Sequence, residues 1–172
     1  MTPNVIRRII TDNASCVMLK HEDWPGLEKI SSPRRFEQEG KLRRVPILTG
    51  NGGLFLDFEM ECGVDSAMTA YALPEMLIDV VRLSREGRRE EAHDLFDAHL
   101  PLVRYEQQQG VGLGTRKYVM MRRGILASEA QRKPGASLSA TAKAAVDYLL
   151  ARLARRDARA AAIADVAMRK QA

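Results

Sequence analysis

Three short apolar runs, each followed by a segment long enough for a helix, constrain this chain more than any other feature. They are "SCVMLK" (15–20), "RVPILTG" (44–50) and "DSAMTAYA" (65–72). The first is continuously apolar up to its last residue, as in a parallel strand buried on both faces. "DWPGLEKIS" starts a helix after it, with Asp23 as the expected N-cap and Pro25 in the first turn; Pro33 is expected to break or restart that helix before Gly40. "LFLDFEMEC" (54–62) follows the second run and ends at Gly63. Strands alternating with helices imply right-handed parallel βαβ units, whose loops at the C-terminal ends of the strands carry chemistry. Three strands alone make a poor sheet, and a full (β/α)8 barrel needs roughly 250 residues, more than the 172 present.

The remainder reads as helical. "MTPNVIRRIITDN" resembles the second half of a helix, with Val5, Ile9 and Ile10 on one face. Leu73, Met76, Leu77, Val80 and Val81 form an apolar stripe closed by Gly87. Ala92, Leu95, Phe96, His99, Leu100 and Val103 form another. A helix near 113–123 follows "GVGLG". After the loop "RKPGAS", Ser139 is placed to cap a long final helix carrying Ala142, Val146, Leu149, Leu150 and Leu153. No repeat and no linker long enough to divide domains is visible.

The net charge of +5 raises the question of nucleic acid. Much of the excess lies in "ARLARRDARAAAIADVAMRK", where Arg152, Arg155, Arg156 and Arg159 share helical spacing. Aromatic residues make up 5% of the chain, and none interleaves with these arginines, so a stacking platform for single strands is missing. The run reads as a solvated helix face, and no nucleic-acid partner is expected. No apolar run approaches the ~18 residues of a membrane span. The N-terminus lacks the apolar core of a secretory signal. Cys16 and Cys62 therefore read as free thiols of a cytoplasmic protein. His93, Asp94, Asp97 and His99 resemble a metal cluster only at first sight, because His99 belongs to the apolar stripe; no metal is expected. "GVGLG" (110–114) has no preceding strand and reads as a helix connection rather than a phosphate loop.

The first strand ends on Lys20, where a barrel would present a side chain at its active-site mouth. An amine among apolar walls is disfavoured as the ammonium ion, and a neutral amine attacks ketones to form an imine. On these grounds alone, a solvated lysine at a strand end is the plainer reading.

The surrounding residues add a resemblance. Val17-Met18-Leu19-Lys20-His21-Glu22-Asp23 resembles the strand ending on the Schiff-base lysine of the dihydrodipicolinate synthase / N-acetylneuraminate lyase family of class I aldolases. "LTGNGG" (48–53) resembles the family's glycine turn after the next strand. Gly63-Val64-Asp65-Ser66-Ala67-Met68-Thr69 resembles its last strand, followed by a Pro-Glu helix start at Pro74-Glu75. "LPLVRYEQQ", "TRKYVMMRRGI" and "RKPGASLS" resemble its C-terminal helices. The resemblance covers about residues 1–155. It implies a partial TIM barrel comprising the last three strands (about 15–20, 45–49 and 66–71) and a helical extension (about 88–170), forming a single C-terminal part over 1–172. It implies Lys20 as the imine former, Gly50 as the glycine that lets the backbone approach substrate, and Met68 as the residue whose carbonyl faces the site. The implied substrate is pyruvate or a related 2-oxo acid, with no metal and no organic cofactor.

Departures accompany the resemblance. Gly52 and Gly53 stand where acidic residues often follow the family's glycine. The carboxylate-binding Gly-Thr-Thr-Gly-Glu-like turn and the proton-relay tyrosine are not in the sequence; Tyr71, Tyr105, Tyr118 and Tyr148 have other settings. The expectation is a truncated or split lyase, inactive alone, that forms a homo-oligomer or is completed by an N-terminal half. The alternative is a non-catalytic remnant or a partner subunit.

Overall fold

The computed structural model describes residues 1–169. Helix α1 spans Pro3–Asp12 and is capped by Thr2, whose hydroxyl accepts from the Val5 N–H. Strand β1 is Leu19–His21, followed by α2 (Gly26–Gln38), β2 (Ile47–Thr49), a single 3-10 turn at Asn51–Gly53, α3 (Leu56–Glu61) and β3 (Ser66–Ala67). The remaining helices are α4 (Pro74–Arg85), α5 (Arg89–Glu106), α6 (Gly112–Arg122), α7 (Ala140–Leu153) and α8 (Ala158–Arg169). The expected extension to residue 170 reaches one residue beyond those described.

The strands form one parallel sheet in the order β1-β2-β3. Leu19, Lys20 and His21 pair with Ile47, Leu48 and Thr49, and Leu48 and Thr49 pair with Ser66 and Ala67. Each strand is shorter than the sequence suggests. Pairing begins only where the Leu19 N–H reaches the Pro46 carbonyl, and Pro46 itself has no N–H to give. Upstream of that point the chain is held differently: the Arg43 guanidinium donates to the carbonyls of Ile10, Asn13 and Cys16. The two-sided burial expected of the first run is not seen, since Val17 is 68% and Met18 45% exposed.

Contacts divide the chain into two compact units, residues 1–70 with 77–92, and residues 71–76 with those from 93 onward. The first unit holds the sheet. Ile30, Ile47 and Val64 are buried together with Leu19, Met60 and Cys62 against them, and Ile6, Ile10, Leu42 and Val45 form an adjoining cluster. Complete burial of a side chain such as Ile30 stabilises by about 1.5–3 kcal/mol. On α1 the buried face is Ile6 and Ile10, one turn apart, while Val5 and Ile9 are exposed. The α2 helix runs through Pro33 rather than stopping there. Its Arg34 ties the segment together: it donates to both Glu37 oxygens at 2.8 Å, to Asp65 at 2.6 Å and to the Gly63 carbonyl at 2.7 Å. Asp23 does not cap α2; that position is Pro25, and the Asp23 carboxylate instead accepts from the Trp24 N–H and Lys29.

The second unit is helical. Ser139 caps α7 as expected, its hydroxyl accepting from the Ala142 N–H. The long final helix is interrupted at Asp157, which turns the chain and caps α8 through the Arg159 N–H. The arginine face expected over 152–159 is therefore split between two helices. Asp157 also accepts from His99 Nε2 at 2.8 Å, and His99 Nδ1 accepts from the Tyr71 hydroxyl at 2.9 Å. Burial lowers the pKa of His99 and keeps the ring neutral, which fixes these donor and acceptor roles. Against the upward push of burial, the hydrogen bonds of Arg159 and His99 hold the Asp157 carboxyl well below the usual carboxylate range.

Candidate active site

Parallel pairing puts the C-terminal ends of β1, β2 and β3 side by side. Lys20 lies in the middle of β1, in register with Leu48, not at its last residue. Gly50 and Met68 each follow the last residue of their strand, immediately after the paired Thr49 and Ala67. The three residues singled out in the sequence therefore lie on three neighbouring strand ends of one sheet.

The surroundings of Lys20 differ from the apolar walls expected. Its side chain is 42% exposed, and Nζ is 3.3 Å from Oε1 of Glu22. A half-exposed pair of this kind adds little stability; its consequence is geometric, since it fixes where the amine sits. The same Glu22 oxygen accepts from the Asn51 N–H at 3.3 Å. Glu22 thus bridges the end of β1 to the turn after β2. The Gly50 N–H donates to the His21 carbonyl at 3.1 Å and closes the same junction.

Gly50 gives Glu22 its place. A Cβ at that position would collide with the Glu22 carboxyl group. The glycine was singled out for a close approach of substrate to backbone; the group that makes the approach is a side chain of this chain. Met68 continues the ladder through its N–H to the Thr49 carbonyl at 2.8 Å, and its side chain is 52% exposed, so it is not a core methionine.

Glu22 was missed in the sequence because the family pattern places an acidic residue directly after the lysine, and here His21 intervenes. The tyrosines give no relay in its place: the hydroxyls of Tyr71 and Tyr118 are hydrogen-bonded to His99 and Asp147, and that of Tyr148 accepts from Arg152, all within the second unit. Among the described residues no group of three or more His, Cys, Asp or Glu side chains is placed to hold a metal ion, and His99 of the candidate cluster is committed to Tyr71 and Asp157. No helix among the described residues is long and apolar enough to cross a membrane.

No protein-family model matches the sequence. Among solved structures, dihydrodipicolinate synthase from Rhodopseudomonas palustris is 68% identical with a TM-score of 0.86, over 88% of this chain and 50% of that one. The chain belongs to the dihydrodipicolinate synthase family. Within the family it matches about half the length of that relative, and its fold is that of a partial (β/α)8 barrel with added helices. The 4-hydroxy-tetrahydrodipicolinate synthase of Methylacidiphilum fumariolicum SolV shares the fold at 20% identity, with a TM-score of 0.74 over 94% of this chain and 52% of that one. A curated relative, L-2-keto-3-deoxyarabonate dehydratase from Azospirillum brasilense, is 33% identical over 85 residues, which is 49% of this chain and 27% of that protein. The family is one of lyases that use Schiff-base chemistry.

Proposed function

We propose that this chain supplies the Schiff-base half of a lyase site acting on pyruvate or a related 2-oxo acid, with Lys20 as the imine former. The observation that supports it most is the placement of Lys20, Gly50 and Met68 on three adjacent parallel strand ends, with Glu22 fixing the amine. The Lys20 amine adds to the 2-oxo carbon, forming a C–N bond as the carbonyl electron pair moves to oxygen. Loss of water breaks the C–O bond and leaves a protonated imine. That cation accepts the electron pair released when a bond at the neighbouring carbon breaks, giving an enamine. Reprotonation at carbon and hydrolysis return the 2-oxo acid and free Lys20. Gly50 leaves room for Glu22 beside the amine, and the Met68 carbonyl is the third group at the mouth.

Binding the substrate carboxylate and relaying protons need groups that the surroundings of Lys20 do not provide. Positioning and proton transfer each commonly contribute several orders of magnitude. In this reading turnover requires a polypeptide that supplies the first five strands of the barrel, and β1 and β3 are the edges to which it pairs. The rival reading, a non-catalytic partner or remnant, draws on the same missing groups. Co-expression with a polypeptide carrying the first five strands of the Rhodopseudomonas palustris relative tests the two. Pyruvate-dependent turnover that Lys20→Ala abolishes is expected; a soluble complex with no turnover and no dependence on Lys20 favours the rival.

A further inference from the structure

The alternation that turns Lys20 to one face of β1 turns His21 to the other. His21 is 3% exposed, and its Nε2 has no hydrogen-bond partner. Burial lowers its pKa and keeps the ring neutral, while the backbone of Gly26 hydrogen-bonds it in a way that favours protonation. Thr49, the register partner of His21, is fully buried, and its side chain hydrogen-bonds Glu59 in the sense that lowers that carboxyl's pKa. Beside it on α3 stands Glu59, 4% exposed, with Oε2 unpartnered. Burial raises the pKa of Glu59 against the Thr49 hydrogen bond, so this one donor does not offset the burial of the carboxyl. Buried polar atoms left without partners cost about 1–3 kcal/mol each.

A cavity of about 410 Å³ is lined by Glu59 of this cluster; His21 and Thr49 stand behind its wall. Asp23, Trp24, Gly26, Glu28, Phe55 and Glu59 are among its lining residues. Three of these are carboxylates and two are aromatic; Asp23 is already paired with Lys29 and the N-terminal ammonium, which leaves Glu28 and Glu59 as the charges that face an entering cation. The Trp24 and Phe55 rings meet edge to face with centroids 5.3 Å apart. Gly26, which lines the cavity, packs against His21: a Cβ there would stand 3.7 Å from Nε2, an ordinary contact. Lys20 and Glu22 do not line it.

We propose that this cavity binds a small primary alkylammonium ion, its nitrogen toward Glu59 and its alkyl group against Trp24 and Phe55. A primary ammonium brings three N–H donors and a positive charge to the Glu59 carboxylate. The aromatic rings receive its hydrocarbon and the edge of its charge. An alcohol of the same length lacks the charge, and a quaternary ammonium lacks the donors.

Trp24 is the only tryptophan of the chain, so its fluorescence reports on the cavity directly. The purified chain is titrated with n-butylammonium chloride at constant ionic strength, beside n-butanol and tetramethylammonium chloride. A saturable change with n-butylammonium is expected, with both controls weaker by about tenfold or more, the scale of one charged hydrogen bond. Glu59→Gln and Thr49→Val are expected to weaken binding while leaving the unfolding transition cooperative. No saturable signal, an equal response to n-butanol, or undiminished binding by a folded Glu59→Gln variant would overturn the proposal. If neither variant folds, the comparison of the three ligands on the unaltered chain decides.

Discussion

The Glu22 carboxylate occupies the space that a side chain at position 50 would need. One residue after β1 and another after β2 are thereby fitted to each other, and the Lys20 ammonium pairs with the first of them. Gly50→Ala obliges the half-exposed Glu22 side chain to swing aside, at a cost of about 1 kcal/mol or less. Glu22→Ala in the same chain removes the obstacle. Denaturation of the two single variants and the double variant is expected to show that Glu22→Ala recovers much of the loss in Gly50→Ala. Strictly additive losses would separate the two residues.

Arg34 is the second point of fixation. Its guanidinium serves Glu37, Asp65 and the Gly63 carbonyl at once, and its side chain is 13% exposed. Arg34→Ala removes charged hydrogen bonds from Glu37 and Asp65, which keep the Val45 N–H and, for Asp65, Arg44 and the Ile47 N–H, and is expected to destabilise by about 2 kcal/mol, the scale of a hydrogen bond to a charged group. Arg34→Lys keeps the charge but not the planar fork, and is expected to recover less than half of that loss. Full recovery by lysine in urea denaturation would reduce the role of Arg34 to its charge.

Glu106 gives the second unit a pH dependence. Burial pushes its carboxyl up from 4.5 to about 7, against the pull of the Arg116 guanidinium, whose Nε donates at 3.2 Å, and of the Ala72 N–H at 3.1 Å. Between these values the folded chain holds a proton that the unfolded chain releases. The contribution to stability is full below about pH 4.5 and is lost as the pH rises through about 7, by at most ~1.4 kcal/mol per unit. His99, with its pKa lowered by burial, acts in the opposite sense. Thermal unfolding at pH 5, 6 and 7 is expected to show a shallower decline with pH in Glu106→Gln than in the unaltered chain. Equal slopes would contradict the assignment.

Much of this was legible in the sequence. The alternation of apolar runs with helical segments gave the parallel order, and the stripes from Leu73 to Val103 gave α4 and α5, because periodicity records burial along one element. What depends on distant partners was not legible. His99 looked like one more member of an apolar stripe, and its neighbours in space, Tyr71 and Asp157, lie 28 and 58 residues away. The same Asp157 broke a helix whose arginines had the spacing to continue. Strand lengths were overestimated because apolarity marks a run, whereas pairing is limited by Pro46 and by where each neighbour ends. Lys20, Gly50 and Met68 could be placed near neighbouring strand ends from the sequence, while the fit of Glu22 against Gly50 is a contact that no spacing reveals.

The sheet has two open edges. β1 and β3 each pair on one side only, and Val17, Met18 and Met68 expose apolar surface beside them. Unpaired strand edges next to apolar side chains favour association. Sedimentation of the purified chain at micromolar concentration is expected to show self-association, reduced when the first five strands are co-expressed. A stable monomer that unfolds cooperatively would show that these edges need no cover.

The proposal that Lys20 forms the imine is tested most directly by reductive trapping. The chain is incubated with pyruvate and sodium borohydride, digested, and its lysine adducts are mapped by mass spectrometry, with Lys20→Arg and Glu22→Gln alongside. The account predicts modification concentrated on Lys20, lost in the first variant and slowed in the second. Labelling spread evenly over the exposed lysines, unchanged by either substitution, would contradict it.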